Sequence, residues 1–332
     1  MFAHSRFGLF VLVLLLCSSQ SFAQQQDPPP LSAPGSQQQQ PSALEDDRLT
    51  NASNPAVANQ QSYYANVHPY FEEPLARLVA RIPVLASLQP SSDQQQLLTI
   101  LQKMGDRMDD FQRDIGDLIA REEVIQEQLN EKGKIKSKER VRDSYLILHH
   151  GNDWGASAEY RMDENGDKLG FRGLRSGYLV TSGFALSCIS FSTAGQSQSR
   201  FRYLGEQKVD GREAYVLGYA QLPGKATFTT VMTGAGKTRV EMLTQGILWV
   251  DKDNYQIIRM HTDLLAPHME ISLNRETTEV KFGETHLPDV PDPLWLPTVV
   301  NVYLEISNRG FRNEHHYTNY RRYRVSVKIN GQ

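Results

Sequence analysis

The sequence predicts an α+β protein: an open, strongly curved antiparallel β-sheet, a half-barrel, with N-terminal helices packed on its concave face. Two observations predict it. An apolar stripe at helical spacing runs from Leu97 to Leu118, and beyond it runs rich in Val, Ile, Tyr and Trp are punctuated by "DENGD", "VDGRE", "VDKDNYQ" and "ISNRGFRNE". Short turns between β-rich runs are the punctuation of an antiparallel meander. With 332 residues, the chain is long enough to bury a sizeable core.

The first element is "MFAHSRFGLFVLVLLLCSSQSFAQQQ", with Arg6 ahead of an apolar run from Phe7 to Leu16 and a small-x-small site at Ser21-Phe22-Ala23. This pattern predicts a signal peptide over residues 1–23, cleavage after Ala23 and a soluble periplasmic product. The apolar run is shorter than the ~20 residues a membrane span needs, and no later window supplies one. Leu16 before Cys17 argues against lipidation there. Cys17 leaves with the signal, so Cys188, in the apolar "GFALSCISFS", has no intramolecular partner and reads as a buried thiol rather than a nucleophile. A formal net charge of −3, with Arg6 lost as well, argues against a nucleic-acid binder.

Residues 24–61, including "QQQDPPPLSAPGSQQQQPSALEDD", read as a disordered Gln/Pro/Ser-rich spacer, too poor in apolar side chains to offset chain entropy. Residues 62–120 read as a helical segment. A short helix over His68–Ile82 carries Phe71, Leu75, Leu78 and Ile82 on one face. A longer one, near 92–119 and capped by Ser91 or Ser92, carries Leu97, Leu101, Met104, Met108, Phe111 and Ile115. The stripe would next fall on Glu122, and there it stops.

Residues 121–330 are assigned to the half-barrel. "NEKGK" predicts a hairpin turn, with Ile135, Val141, Tyr145 and Ile147 on one face of its second strand; residues 119–130 fit either its first strand or a continuation of the helix. In "SRFRYLGEQKVDGREAYVLGYAQ" a two-residue turn at Asp210-Gly211 pairs Val209 with Arg212, Lys208 with Glu213 and Leu204 with Leu217. One face then carries Phe201, Tyr203, Gly205, Ala214, Val216, Gly218 and Ala220. Its small residues leave room for the chain's own helix or for a ligand.

"TGAGKT", Thr233–Thr238, ends like a phosphate-binding loop. The position five before Gly236 is Val231 rather than glycine, and the residues after Thr238 are β-rich rather than helical, so a surface loop is the reading.

The pair "VDGREAYVLGYAQ" and "GILWVDKDNYQIIRMHTDL", with Gly246, Leu248, Trp249, Asp251 and Arg259 at the motif positions, resembles the lipoprotein-localisation superfamily of LolA, LolB and RseB-like exported proteins. The likeness extends over about 120–329, through "LWLPTVVNVYLEISNRGFRNEHHYTNYRRYRVSVKI". It implies a half-wrapped barrel whose cavity is plugged by helices and holds or senses acyl chains. The long N-terminal helix and the spacer lie outside the usual carrier, and no receptor contact carries over residue by residue.

Other chemistry is sparse. Adjacent histidines on a strand point to opposite faces, so His149-His150 and His315-His316 each offer one ligand at most to a shared site with Asp153 or His261. Ser182 in "TSGFA" lacks a nucleophile elbow. Arg309, Arg312, Arg321, Arg322, Arg324 and Lys328, interleaved with tyrosines, read as a solvated strand face rather than an anion site. No catalytic residue, metal or cofactor is assigned. The expected function is a non-catalytic periplasmic binder or carrier of lipid acyl chains or lipoproteins, with Phe201, Tyr203, Val216 and Trp249 lining the ligand. The alternative is an envelope scaffold with a protein partner and a cavity filled by its own helix.

Overall fold

The computed structural model describes residues 11–16, 62–148, 158–162, 181, 183–233 and 239–323. Two α-helices, Leu75–Arg81 (α1) and Leu97–Asp114 (α2), accompany fourteen strands among the described residues. The strands are Val11–Leu16 (β1), Gln89–Pro90 (β2), Leu118–Leu129 (β3), Ile135–Leu148 (β4), Ala158–Met162 (β5), Ser199–Val209 (β6), Arg212–Gln221 (β7), Phe228–Thr233 (β8), Arg239–Met242 (β9), Thr244–Asp251 (β10), Ile257–Leu264 (β11), Leu273–Thr285 (β12), Leu294–Ile306 (β13) and Arg309–Arg322 (β14). Eleven of them form one open sheet in the order β2-β6-β7-β10-β11-β12-β13-β14-β3-β4-β5, and β1, β8 and β9 form a second. Every ladder pairing is antiparallel.

The predicted fold class is therefore the observed one: an open, curved antiparallel sheet with α2 against its concave inner face. The apolar run near the N-terminus takes part as a strand, β1 lying antiparallel on β8. "TGAGKT" runs into residues outside those described, but the strands on either side of it, β8 and β9, pair with each other as a hairpin, not as the strand and helix that a phosphate loop joins.

α2 forms where the stripe predicted it, with Ile100, Met104, Met108 and Phe111 buried. It begins later than the serines suggested. Ser91 Oγ instead accepts from the Asp93 amide at 3.2 Å and Asp93 Oδ1 from the Gln95 amide at 2.9 Å, a local turn that delays the helix. Its end is fixed by Gly116 in the left-handed region (φ +50) and by Arg322, whose guanidinium donates to the carbonyls of Asp114 (2.9 Å) and Ile115. Arg322 thus caps a helix instead of standing on a solvated face, and Arg312 is paired with Glu127. Past Gly116 the period changes from helix to strand. Residues 119–129 belong to β3, so Glu122, where the helical stripe stopped, points inward beside Leu118, Ala120 and Val124. The predicted β3–β4 hairpin is formed, closed by Gly133 (φ +71) and by the amide of Asn130 donating to the Lys134 carbonyl.

The β6–β7 hairpin turns at Asp210-Gly211 with the predicted Lys208–Glu213 and Val209–Arg212 pairs. Beyond them the register departs. Tyr203, not Leu204, lies opposite Leu217, because Leu204 bulges out beside Gly205 (φ +138). One extra residue flips everything beyond it to the other face. Phe201 and Tyr203 accordingly share the inner face with Tyr215, Leu217 and Tyr219, while Ala214, Val216 and Gly218 remain on the outer one. The face predicted to unite Phe201, Tyr203 and Val216 is split.

Gly205 is required on two counts. Its φ is one that L side chains rarely adopt, and a Cβ there would lie 2.0 Å from the Gln89 carbonyl oxygen of β2. Gly133 has a positive φ but nothing within 4 Å. Gly205→Ala is expected to lose about 2–4 kcal/mol in urea denaturation, from backbone strain plus overpacking, against ~1 kcal/mol for Gly133→Ala. Equal losses at the two positions would remove β2 as the reason for the glycine.

Candidate ligand-binding site

Both faces of the β6–β7–β10 end of the sheet are covered by the chain itself. On the outer face lies the segment around α1: Phe71 packs so closely on Gly218 that a Cβ there would stand 2.6 Å from the Phe71 Cβ, and Gln207 Nε2 donates to Ser87 Oγ at 2.8 Å and to the carbonyl of Val84. The small residues of β7 therefore receive the chain's own aromatic side chain. On the inner face lie α2 and the 3-10 turn Ser187–Phe191, which packs between the helix and the strands. Phe191 meets the edges of Phe201 and Tyr219, with ring centroids 6.2 and 4.8 Å away.

The four predicted ligand residues divide accordingly. Phe201 and Tyr203 are on the inner face, Phe201 half-buried against Phe191 and Tyr203 buried with its ring 6.2 Å from that of Tyr215. Val216 and Trp249 pair across β7 and β10 on the outer face, both fully buried, and Trp249 Nε1 donates to Gln207 Oε1 at 2.9 Å. Arg259 lies over the Trp249 ring, 5.5 Å from its centroid. The two pairs do not meet.

Where the 3-10 turn meets the inner face, a cavity of about 50 Å³ remains, room for a few atoms of ligand and not for a whole acyl chain. Ser187, Ser190 and Phe191 line it from the turn, and Tyr219, Met260 and Glu276 line it from the strands. Sequence reasoning singles out none of these six. Their signal is alternation: in "LNRETTEVKF" Glu276, Thr278 and Val280 face the same side, and Val280 is core.

Most polar groups around the cavity whose bonds are resolved are satisfied. The Tyr219 hydroxyl and Thr262 Oγ1 are hydrogen-bonded at 2.9 Å, and Gln221 Oε1 accepts from the amide and hydroxyl of Thr244 at 2.8 and 3.1 Å. Two are not. Glu276, only 4% exposed, and Thr278, 2% exposed, have Oε2 and Oγ1 without a partner among the described residues. Burial, and after it the Asp263 charge, pushes the Glu276 carboxyl up to about 8, so it is protonated at neutral pH.

A second polar cluster lies further along the inner face. Asn313 Nδ2 donates to Thr181 Oγ1 (3.1 Å), Thr181 and His315 Nε2 are 2.7 Å apart, and His315 Nδ1 is 2.8 Å from Glu122 Oε1, which also accepts from Tyr317 and, with Oε2, from Arg161. Burial disfavours charge on both Glu122 and His315. For Glu122 the Arg161 guanidinium more than offsets it and holds the carboxyl well below its usual range; for His315 burial wins and the ring stays neutral. The order Thr-His-Glu is that of a catalytic triad, yet none of the three lines the cavity, and the Thr181 hydroxyl is engaged on both sides. The neighbouring amides of Gly183, Phe184, Ala185 and Leu186 all donate to the Glu159 carboxylate at 2.6–3.1 Å. The cluster is a buried ionic lock.

His315 faces inward, His316 pairs outward with Glu314, and His261 lies outward between Asp263 and Glu279. His149, His150, Asp153 and Ser182 lie outside the described residues, as do Arg324 and Lys328. Among the described residues no group of three His, Cys, Asp or Glu side chains is arranged to hold a metal ion. Cys188 is buried, its thiol pushed up to about 12 by burial, and it donates to the Ala185 carbonyl at 3.2 Å. Among the described residues no helix is long and apolar enough to cross a membrane.

The protonated Glu276 has a consequence for stability. An unfolded glutamate ionises near 4.5, the folded one near 8. Between these values the unfolded chain has released a proton that the folded protein keeps, so this group's contribution falls as pH rises through that window. Glu276→Gln is expected to be more stable than the wild type by a few kcal/mol at pH 8, and no more stable at pH 4, in melts followed by circular dichroism. Parallel profiles for the two proteins would mean that Glu276 ionises freely.

No family model matches the sequence, and no curated protein matches it. Among solved structures the chain is similar to a protein described as an outer membrane lipoprotein-sorting domain, from Vibrio parahaemolyticus, at 13% identity and a TM-score of 0.36, covering 69% of this chain and 94% of that one. It is similar to a DUF1329 family protein from Desulfovibrio piger ATCC 29098 at 16% identity and a TM-score of 0.38, with the same coverage, 69% and 94%. The lipoprotein LppX of Mycobacterium tuberculosis matches at 8% identity and a TM-score of 0.24, over 69% of this chain and 98% of its own. At these scores the functional reading rests on the chain's own residues.

Proposed function

We propose that this protein is an exported, non-catalytic periplasmic binder of the acyl chains of lipids or lipoproteins, and that the structure is its closed form. Its α2 and the Ser187–Phe191 turn lie where a ligand chain lies in the open form. The observation that carries this reading is the cavity left between the turn and the strands, walled on its apolar side by Phe191, Met260 and the Tyr219 ring. Protein cores close to near-crystalline density with few voids, and the one here falls at the junction of cover and sheet.

The energetics permit exchange. A buried methylene contributes ~0.8 kcal/mol whether it belongs to an acyl chain or to a methionine, so a ligand replacing Met104, Met108 and Phe111 recovers what the helix gives up. Phe201 and Tyr203 remain the proposed wall for that chain. Val216 and Trp249, on the opposite face, serve as the packed backing of the sheet. The signal-like residues 1–23 support export.

A second reading has its own observation. Met104, Met108 and Phe111 are each 3% exposed or less, as an envelope interaction module with a cavity filled by its own helix requires. The two readings differ in whether the helix yields. Met108→Ala weakens the cover by about 2–5 kcal/mol and, under the acyl-binding reading, raises affinity for a fluorescent long-chain monoacylglycerol at least about tenfold, with unchanged far-UV circular dichroism. Uptake by neither the wild type nor the variant would establish the filled-module reading instead.

A further inference from the structure

We propose that Glu276 and Thr278 are the polar anchor of this site, and that its ligand is a neutral acyl ester or amide whose carbonyl oxygen accepts hydrogen bonds from both. This deepens the acyl-binding reading and rests on it.

Their position brings them together. Glu276 and Thr278 are two residues apart on β12, so their side chains stand on the same, inner face, and both line the cavity below Phe191. They are buried, and Glu276 Oε2 and Thr278 Oγ1 have no partner among the described residues. A buried group left unpaired costs about 1–3 kcal/mol, and native structures keep few of them. Beside them are apolar surfaces of Phe191 and Met260, which suit a ligand with one polar linkage on an apolar chain.

Charge selects the ligand class. Among the described residues no arginine, lysine or histidine lines the cavity. A phosphate or carboxylate headgroup would enter without a counter-ion, beside a carboxyl, which excludes anionic ends. An ammonium group would require Glu276 to give up a proton that burial holds until pH about 8. A neutral carbonyl meets neither objection: the protonated Glu276 and the Thr278 hydroxyl each have a hydrogen to donate, and a carbonyl oxygen has two lone pairs to receive them.

The titratable groups around Glu276 leave it as the one that responds. Asp263 on β11, the group whose charge helps raise Glu276, is held on the outer face by His261 Nε2 at 2.9 Å and by Thr277. Arg275, its neighbour on β12, donates to Thr277 Oγ1 at 3.1 Å. On β7, Tyr219 is hydrogen-bonded to Thr262 and pushed up to about 12, and Tyr70, in the segment covering the outer face, is raised well above its ordinary value. The covering turn Ser187–Phe191 contributes only Cys188, a thiol.

The experiment measures affinity for a fluorescent monoacylglycerol, and for the matching alkyl ether without the carbonyl, across pH 5 to 9, in the Met108→Ala background if the wild type binds too weakly. The ester is expected to bind evenly at low pH and to lose about five- to tenfold as Glu276 ionises near pH 8, one donated hydrogen bond's worth, while the ether shows no such step. Glu276→Gln retains a neutral donor, so it keeps ester affinity within about threefold and abolishes the pH step; Glu276→Leu and Thr278→Val each weaken the ester, not the ether, by about five- to tenfold at pH 6. Circular dichroism at each pH confirms that every variant is folded. Ester binding indifferent to Glu276 and Thr278 overturns the anchor and leaves the acyl-binding reading standing. Preference for a long-chain amine, rising with pH and lost in Glu276→Gln, overturns it in favour of a cationic ligand. No binding of either probe in any background overturns the acyl-binding reading and the anchor with it.

Discussion

An open sheet has one constraint that a closed barrel escapes: the apolar part of its concave face must be covered by another part of the chain. Strands β10, β12 and β13 present Leu248, Val280, Val300, Val302 and Leu304 inward, and something must keep water from them. Here the cover comes from the same chain: an amphipathic helix, a 3-10 turn and, at the cavity, Thr229 and Thr230 of β8. Most other features serve that arrangement. Gly116 lets the chain leave α2 and enter β3 at once, and Arg322, arriving from the far end of β14, donates to the last helical carbonyls, while its Nε donates to both carboxylate oxygens of Asp289 at 2.9–3.0 Å. Arg107 and Lys103 fasten the helix to the β10–β11 turn, through the Asn254 carbonyl at 3.1 Å and the Tyr255 ring at 4.5 Å. Within the helix, the Leu101 carbonyl accepts from Gln196 Nε2 at 2.7 Å and Asp109 Oδ1 from the Thr193 amide at 3.3 Å, and its inward face is held by apolar packing. Under the proposed function, an equally apolar acyl chain takes the place of such a cover.

The ionic cluster around Glu122 has the opposite character. Arg161 of β5, Glu122 of β3, and His315 and Tyr317 of β14 are joined side chain to side chain in the interior, and Arg161 also donates to the Thr181 carbonyl at 2.7 Å. Breaking one partner of a buried pair leaves a charge uncompensated, which costs about 3–5 kcal/mol. Together with Glu159, which gathers four backbone amides just before the covering turn, it fixes the point from which that turn sets out. The rigid end and the replaceable end of the cover are thus built from different interactions, which is what a loop that must be anchored without being immobile requires.

The fold is legible in the sequence because its two periods are clean. The stripe from Leu97 to Ile115 and the turns at Asp210-Gly211 and Asn130–Lys134 report on local geometry, and local geometry is what a single sequence encodes most directly. The site is only partly legible, for two reasons. Leu204 bulges because Gly205 passes against β2, a contact between residues far apart in the chain, and the bulge moves Phe201 and Tyr203 away from Val216 and Trp249. Along the chain Glu122 is simply the point where a helical stripe fails, whereas its partners Arg161 and His315 lie 39 and 193 positions away. The basic C-terminal residues mislead for the same reason: Arg322 finds its acceptors 207 and 208 positions back.

Glu276 is the sharper case. In sequence it is one acid among alternating threonines, indistinguishable from a surface position; in the fold it is a neutral carboxyl facing a cavity. Evolution of a structural core has an easy remedy for such a residue, since a leucine there would fill space and leave nothing unpaired. Keeping it costs stability above pH ~5, in the direction that linkage dictates. Among the inward carboxyls with resolved partners the contrast is clear: Glu122 is saturated by Arg161, His315 and Tyr317, and Glu159 by backbone amides, so the chain does satisfy buried carboxylates where their job is structural. An unpaired carboxyl and hydroxyl side by side, where cover and sheet fail to close, are the polar remainder expected when the missing partner arrives with a ligand and not with the polypeptide.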